Sequence, residues 1–127
     1  MKQLISEKEF LARIRADGTA RIVIYLGHST ADVVIPAAIE GKPVTAIGGM
    51  VFEGQKEIKS VTIPDGVISI GEGAFAYTGL TSVTIGNSVT SIGSRAFKGC
   101  TGLTIYGTTG SAAEVYAKEN YIPFVGV

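Results

Sequence analysis

Few residues of this chain belong to the types that do chemistry, and they are scattered. Among 127 residues the only histidine is His28, in a Gly-His-Ser turn, and the only cysteine is Cys100. One histidine gives no imidazole pair for a metal ion and no second base for a Ser–His relay. One cysteine allows neither an internal disulfide nor a cysteine-based metal site. We interpret His28 as a solvated turn residue and Cys100 as a small filler at a corner of the chain.

A glycine-rich segment, residues 71–76, formally fits the dinucleotide-binding pattern G-x-G-x-x-A. That pattern needs an acidic residue about 20 positions further on, to hold the ribose. The chain has no aspartate or glutamate between Glu72 and Glu114. The segment Gly41-Lys42-Pro43 also lacks the first glycine and the Ser/Thr of a phosphate loop. The sequence therefore predicts no nucleotide site and no cofactor.

The carboxylates of the central part are few and fall mostly at predicted corners. They are Asp32, Glu40, Glu53, Glu57, Asp65 and Glu72. A glycosidase needs two of them held about 5–10 Å apart, and no cluster of perturbing groups points to such a pair. The sequence predicts that the chain is not an enzyme, with an undetected hydrolase as a remote alternative.

The elements that position these residues come from a repeat. Residues 58–79 read IKSVTIPDGVISIGEGAFAYTG, and residues 80–101 read LTSVTIGNSVTSIGSRAFKGCT. At an offset of 22 residues, Val61 falls on Val83, Ile63 on Ile85, Val67 on Val89, Ile70 on Ile92, Gly71 on Gly93, Ala74 on Ala96 and Phe75 on Phe97. A fixed period of about 20–30 residues is typical of a solenoid, in which each repeat is one coil stacked on the next.

A looser third copy precedes these two. It begins with residues 33–36, contains five extra residues, and resumes at an offset of 23 with Val44, Ile47, Gly48 and Phe52. We interpret the extra segment AAIEGK as a surface loop of the kind that solenoids tolerate. The sequence thus predicts about three repeats, at residues 31–57, 58–79 and 80–102.

Within one copy the pattern predicts a coil with two short strands. Residues 61–63 alternate between inside and outside, as a strand with one buried face does. Residues 64–66 turn the chain, and residues 67–70 form the second strand. Residues 72–76 then form about one helical turn, which sends Phe75 inward as a rung of an aromatic ladder with Phe52 and Phe97. One coil buries too little apolar surface to fold alone, so the copies must stack.

Residues 1–30 are predicted to cover one end of the stack with a helix and a strand. Ser6-Glu7-Lys8-Glu9 fits a capping box, and Phe10, Leu11 and Ile14 would share one face of a helix of about ten residues. Asp17-Gly18 suits the end of this helix. Residues 21–25 read as the strand that follows, and Gly27-His28-Ser29 as a turn.

Residues 103–127 are predicted to form a final half-repeat and a second cover. Residues 103–107 read as a last inner strand. Ser111–Glu114 fits a capping box that opens a helix with Val115 and Tyr116 facing inward and Ala112 as a further candidate. Asn120 suits the end of the helix, and residues 121–125 an edge strand. Because covers protect the open ends of a stack, we expect one complete domain spanning residues 1–127.

The charge and hydropathy of the chain argue against several partners and compartments. Eleven basic residues balance eleven acidic ones, so no bulk field recruits nucleic acid or an acidic membrane. No stretch approaches the ~20 apolar residues of a membrane span. The N-terminus MKQLISEKEF lacks the apolar run of a secretory signal. We expect a cytoplasmic protein, or a processed piece of an exported one.

The repeat resembles a known family. Its pattern L-x-x-V-x-I-P-x-x-V-x-x-I-G-x-x-A-F-x-x-C is similar to the BspA-type leucine-rich repeat, which is common in surface proteins of gut and oral bacteria and in some protists. Residues 58–100 match closely, residues 31–54 match with an insertion, and the flanking segments resemble the usual start and end of such arrays. The resemblance implies a right-handed coil with short parallel strands, and a role in adhesion or protein binding at the cell surface.

The outward face of the inner strands is the main candidate for function. It comprises Ser60, Thr62, Ser82, Thr84 and Thr104, with Val34 at one end. This face either receives a partner or simply exposes β-branched residues that suit a sheet. Because interfaces usually rely on Trp, Tyr or Arg anchors, Tyr25, Tyr77 and Tyr106 are further candidates, each of which also suits capping packing.

We therefore predict a non-catalytic interaction module, a monomer or a weakly self-associating chain. It would bind a protein, or less readily a glycan, through the strand face, with no nucleic-acid partner and no membrane insertion. The alternative is a structural spacer or self-associating unit of a larger surface assembly, acting through strand edges near Ile24 or Val125.

Overall fold

The computed structural model describes residues 3–27 and 30–127, so His28 and Ser29 of the predicted turn lie outside the described residues. The elements are β1 (Leu4–Glu7), β2 (Phe10–Ile14), β3 (Ala20–Tyr25), β4 (Asp32–Val34), β5 (Ala38–Ile39), β6 (Lys42–Ile47), β7 (Ser60–Ile63), β8 (Ser69–Ile70), β9 (Ser82–Ile85), β10 (Ser91–Ile92), β11 (Thr104–Gly107), α1 (Ala112–Glu119) and β12 (Phe124–Gly126). These elements form a parallel β-solenoid with short strands, which confirms the predicted fold class.

Five parallel strands form one sheet of the solenoid, in the order β4-β7-β9-β11-β12. In β7 and β9, Val61 lies opposite Val83 and Ile63 opposite Ile85, and all four side chains are buried. The alternation predicted from the repeat is therefore confirmed. The solenoid has about five turns rather than three, because β11 and β12 of the C-terminal segment continue the stack beyond the three predicted repeats.

The second sheet has the order β1-β2-β3-β6-β8-β10, and β5 pairs with β6 beside this path. The strands from β3 onward are parallel, as the stacked coils require. The first three strands are antiparallel and extend the sheet beyond the first coil. The N-terminal segment therefore covers the end of the stack by adding strands to it.

The predicted N-terminal helix is wrong, because residues 4–14 form a β-hairpin. Glu7 pairs with Phe10 across a tight turn in which Lys8 has a φ of +54°. Phe10 and Ala12 are buried on alternate positions of β2, so the strand period decides the local structure. The Ser6 amide donates to a Glu40 carboxylate oxygen at 3.0 Å instead of entering a capping box. Pairing with β3 gives this segment hydrogen bonds and apolar cover, whereas a helix of about ten residues is marginal by itself.

The inserted segment of the first coil is an ordered hairpin rather than a plain surface loop. Ala38 and Ile39 pair with Pro43 and Lys42, and the turn between them has φ of +48° at Glu40 and +79° at Gly41. Ile39 is fully buried. The insertion therefore adds a side chain to the core.

The third side of the coils consists of turns joined by hydrogen bonds between coils. The amides of Phe52 and Phe75 donate to the carbonyls of Ala74 and Ala96, both at 2.8 Å. Residues 71–76 contain two overlapping i→i−3 hydrogen-bonded turns where about one helical turn was predicted. Phe52, Phe75 and Phe97 point inward from this side and stack, which confirms the predicted aromatic ladder.

The repeated glycines of this side are required by close approach between coils. A Cβ on Gly71 would lie 2.5 Å from the Gly49 nitrogen, and a Cβ on Gly93 would lie 2.5 Å from the Glu72 nitrogen. Real side chains do not tolerate such distances. The G-x-G-x-x-A match at residues 71–76 is thus a packing pattern, and it is followed by turns rather than by the helix of a dinucleotide fold.

The C-terminal cover contains the predicted helix α1, but the prediction that Val115 faces inward is wrong. Ser111 accepts a hydrogen bond from the Glu114 amide as predicted, but the Glu114 carboxylate accepts from the Gly110 amide at 2.7 Å. Ala113, Tyr116 and Ala117 face inward, whereas Val115 is exposed and Ala112 half-buried. Asn120 caps the helix as expected, and β12 is shorter than the strand predicted at residues 121–125.

Candidate interaction surfaces

The outward side chains of the first sheet form two parallel rows that cross its strands. Strand pairing places Asp32, Ser60, Ser82 and Thr104 in one row. It places Val34, Thr62, Thr84, Tyr106 and Val125 in the other. We call these together the strand face. Neighbouring side chains within a row are about 4.8 Å apart, the spacing of adjacent strands.

All five predicted site residues lie on this face, three of them in the serine row and two in the threonine row. Thr104 pairs with Ser82 and so continues the serine row, whereas Tyr106 pairs with Thr84. The offset of 22 residues that relates Thr62 to Thr84 leads directly to Tyr106, so this signal was present in the sequence. The threonine row therefore contains an aromatic residue, and one of the three tyrosine candidates lies on the strand face.

The two rows offer different chemistry. Ser60 donates its hydroxyl proton to the Asp32 carboxylate at 2.5 Å, so this end of the serine row already has an internal hydrogen bond. The threonine row is more exposed: Thr62 and Thr84 face solvent, and Val34 is 68% exposed. A row with methyl groups, hydroxyls and a phenol suits contact with another protein surface better than catalysis.

The three tyrosine candidates have different environments. Tyr25 is buried against Phe52, with ring centroids 4.9 Å apart, so it packs as part of the end cover. Tyr106 is half-buried in the threonine row, and Tyr77 is exposed on the turn side of the coils. Tyr77 and Tyr106 therefore remain candidate anchors, whereas Tyr25 does not.

Cys100 is a buried corner residue, which agrees with its interpretation as a filler. Its Sγ lies 3.2 Å from the Phe75 carbonyl oxygen and 3.2 Å from the Thr78 hydroxyl of the preceding coil. Thr78 occupies the same repeat position and donates to the Phe75 carbonyl at 3.0 Å. The thiol and the hydroxyl of two successive coils thus both contact one carbonyl oxygen, that of Phe75.

Perturbed titrating groups lie away from the strand face. Burial raises the pKa of Tyr116, whose hydroxyl accepts from the Phe97 amide at 3.3 Å. Burial also raises the pKa of Tyr25. Hydrogen bonding to the Gly110 amide lowers the pKa of Glu114, and hydrogen bonding to the Thr19 side chain lowers that of Asp17. Each shift accompanies a cap, a turn or an end cover of the solenoid.

Within residues 3–27 and 30–127, no three His, Cys, Asp or Glu side chains come together as metal ligands would. Over the same ranges, no helix has the length and apolar character needed to cross a membrane.

Solved structures of bacterial leucine-rich-repeat proteins are similar to this chain. A leucine-rich cell surface protein from Faecalibacterium prausnitzii is 35% identical, with a TM-score of 0.68, over 83% of this chain and 30% of that protein. A leucine-rich-repeat protein from Bacteroides capillosus is 30% identical, with a TM-score of 0.55, over 84% of this chain and 72% of its own. A leucine-rich-repeat protein from T. pallidum, 24% identical with a TM-score of 0.55 over 80% of this chain and 70% of its own, shares the fold.

The F. prausnitzii protein is much longer than the matched region, since this chain spans less than a third of it. No curated protein matches the chain. The family model of the BspA-type leucine-rich repeat region matches residues 29–116 in six copies. This range includes strands β4 to β11, the phenylalanine ladder and the first five residues of helix α1. The chain belongs to the BspA-type leucine-rich-repeat family.

Proposed function

We propose that this domain is a non-catalytic module that binds a protein partner through the strand face. The observation that carries the proposal is the threonine row, in which Val34, Thr62, Thr84, Tyr106 and Val125 lie in register across all five strands. The strands are held by hydrogen bonds on a packed core, so the row is rigid before a partner arrives. Preorganised side chains lose little entropy on binding, which favours affinity.

Tyr106 and Val34 are the residues on which we expect affinity to depend. Tyrosine is enriched among the few residues that dominate protein interfaces, and Val34 is a large apolar side chain exposed at one end of the row. The hydroxyls of Thr62 and Thr84 between them can donate to or accept from a partner backbone. A glycan ligand is less favoured, because the row presents a single aromatic ring.

The test is to introduce bulk and charge into the centre of the row. We expect a Thr62→Arg, Thr84→Arg variant to keep its melting temperature, because both side chains are exposed, and to lose partner capture. A Thr90→Arg, Ser91→Arg variant carries the same change in net charge at two exposed positions of the second sheet and should capture the partner normally. Capture retained by the first variant would refute the strand face as the binding surface.

A structural or self-associating role is the second candidate, favoured by the free edge of β12. Among the described residues this strand pairs with β11 alone, and Val125 on the strand and Val127 just after it are exposed. The other predicted edge, near Ile24, lies on β3, where Ile24 pairs with Leu11 of β2 and the pairing with β6 ends at Ile22. Light scattering over a concentration series separates the candidates, since a strict monomer that captures a partner supports the first and eliminates the second.

We place the domain at a bacterial cell surface as part of the same proposal. The support is that the similar F. prausnitzii protein is a cell surface protein. Antibody labelling of intact cells, compared with permeabilised cells, tests this placement.

A further inference from the structure

The turn side of the coils has two left-handed backbone positions per coil, and glycine occupies only half of them. The first position is held by Met50, Gly73 and Arg95, with φ of +61°, +62° and +59°. The second is held by Gly54, Tyr77 and Gly99, with φ of +78°, +59° and +79°. A residue with a side chain is strained in this conformation, whereas glycine is not. Met50, Tyr77 and Arg95 therefore carry backbone strain that glycine at the same positions would relieve.

These three side chains line one groove. It has a volume of about 150 Å³ and is also lined by Glu53, Glu72 and Lys98. Met50 is 60% exposed and Tyr77 43% exposed. Strained residues that persist at one place in a structure motivate a hypothesis of function there. The three residues with strained backbone therefore belong to one surface, because their side chains line the same groove.

The groove continues into a larger one at the C-terminal end of the stack. The second groove has a volume of about 450 Å³, and Arg95 and Lys98 line both. Tyr121, which also has a left-handed backbone with φ of +58°, lies on its wall and is 95% exposed. No aspartate or glutamate is among the described residues that line this end groove. We call the two together the turn-side groove.

The ring of Tyr77 is held in place between successive coils. It packs over Gly99, where an added Cβ would overlap the ring, and the Lys56 ammonium lies 5.9 Å from the ring centroid. Glycine at position 99 thus makes room for the tyrosine at position 77. The ring is ordered by its neighbours and still exposes part of its surface, which is how a preorganised anchor is built.

The charges of the turn-side groove are separated along its length. Glu53 and Glu72 lie at the end nearer the N-terminus, and Arg95 and Lys98 lie toward the C-terminal end. Arginine matches the planar shape of a carboxylate with two parallel hydrogen bonds. The acid-free end groove therefore suits anionic side chains, and the Met50–Tyr77 end suits an apolar one, since methionine adapts to varied partners.

We propose that the turn-side groove binds an extended acidic segment of a partner protein. Aspartate or glutamate side chains of the segment would pair with Arg95 and Lys98, and an apolar side chain would lie between Met50 and Tyr77. Methionine, tyrosine and arginine are the residue types enriched at protein interfaces. This composition favours a peptide over an anionic glycan, which offers the carboxylates without the apolar side chain.

The test uses a random 12-residue peptide phage-display library selected on the wild-type domain. We expect the enriched peptides to contain several Asp or Glu residues with an aliphatic or aromatic residue. Fluorescence anisotropy with one labelled peptide should then show at least tenfold weaker binding to an Arg95→Glu, Lys98→Glu variant. A Lys8→Glu, Arg13→Glu variant, with the same change in net charge on the N-terminal hairpin, should bind like the wild type.

A glycine exchange separates a binding role from a structural one. Arg95→Gly should raise the melting temperature, because it relieves the left-handed strain, and should weaken peptide binding at least tenfold. A merely structural arginine would show no change in peptide affinity. The Thr62→Arg, Thr84→Arg variant should bind the peptide normally, so the failure of one surface is distinguishable from the failure of the other.

Several results would overturn the proposal. They are the enrichment of no peptide or of peptides without acidic residues, equal binding by the Arg95→Glu, Lys98→Glu variant, and equal weakening by the hairpin control. Binding of oligogalacturonate, an anionic glycan, in the absence of peptide binding would also overturn it in favour of a sugar ligand.

Discussion

The rings of Phe52 and Phe75 lie 4.9 Å apart between centroids, and their planes differ by only 4°. Phe75 repeats this relationship with Phe97, at 5.3 Å and 3°. Tyr25 closes the stack at one end and Tyr116 at the other, at 4.9 and 5.8 Å. Phe10 also packs against Tyr25 and Phe52, at 5.3 and 6.5 Å. The ladder thus ends in a Phe10–Tyr25 pair on the N-terminal side and in Tyr116 on the C-terminal side.

The central rung of this ladder should carry a large share of the stability. Phe75 is fully buried, and removing a buried phenylalanine ring typically costs about 3–5 kcal/mol. We expect Phe75→Ala to lower the free energy of unfolding by that amount in urea titrations. Tyr77→Ala, two residues away at an exposed position, should cost clearly less. A loss below about 1 kcal/mol for Phe75→Ala would mean that the rung is not interior.

Glycines that touch the next coil should not accept even a methyl group. Gly93→Ala would place a Cβ 2.5 Å from the backbone nitrogen of Glu72, and overpacking of this kind costs about 1–3 kcal/mol or more. Gly102→Ala is the matched control, because its nearest neighbour would be the Thr81 methyl at 4.0 Å. We expect the control to be neutral or slightly stabilising. Equal melting temperatures for the two variants would contradict the coil spacing.

The inserted hairpin should contribute to the core although it interrupts the repeat. Ile39 is fully buried, and truncation of a buried isoleucine costs about 2–5 kcal/mol. Val34→Ala, at a position that is largely exposed, should change stability by less than about 0.5 kcal/mol. Both are measured by thermal and urea unfolding. If Ile39→Ala unfolds like the wild type, the segment is a loop after all.

Most of the middle of the fold was predictable, because there each structural position occurs in more than one copy of the repeat. Val61 and Val83, or Phe75 and Phe97, support each other's assignment. The ends were not predictable in the same way. Ser6–Glu9 satisfies the local capping rule for the start of a helix. The segment forms a hairpin instead, because β2 pairs with β3 and the Ser6 amide donates to Glu40. These contacts join residues that are distant in sequence, so the local pattern at residues 6–9 does not reveal them.

The candidate surfaces were predictable to different degrees. The strand face follows from the period of two within each strand, and Tyr106 follows from the offset of 22 residues. The turn-side groove does not follow from any such rule. The pattern predicts about one helical turn at residues 72–76, and it does not indicate that the backbone is left-handed at Met50, Tyr77 and Arg95. The pattern also does not indicate that these three residues, from different coils, line the same groove.

The tyrosines that close the ladder should make stability fall at alkaline pH. Burial raises the pKa of Tyr116 above its usual value of 10.0, so the folded state holds the phenol proton more tightly than the unfolded state. The unfolded chain then loses its proton first as the pH rises above about 10, and the free energy of unfolding decreases until the folded phenol also ionises. Tyr25, whose pKa is raised by burial too, adds to the same decrease.

Tyr116→Phe separates this titration from the hydrogen bond. The variant should be less stable by about 1–3 kcal/mol at pH 8, because the buried Phe97 amide loses the hydroxyl that accepts from it at 3.3 Å. Between pH 9 and 11, however, its urea midpoint should fall less steeply than that of the wild type. Tyr25→Phe should reduce the remaining slope. Parallel pH profiles for wild type and Tyr116→Phe would show that Tyr116 ionises alike in the folded and unfolded chains, and hence that its hydroxyl is not buried at the end of the ladder.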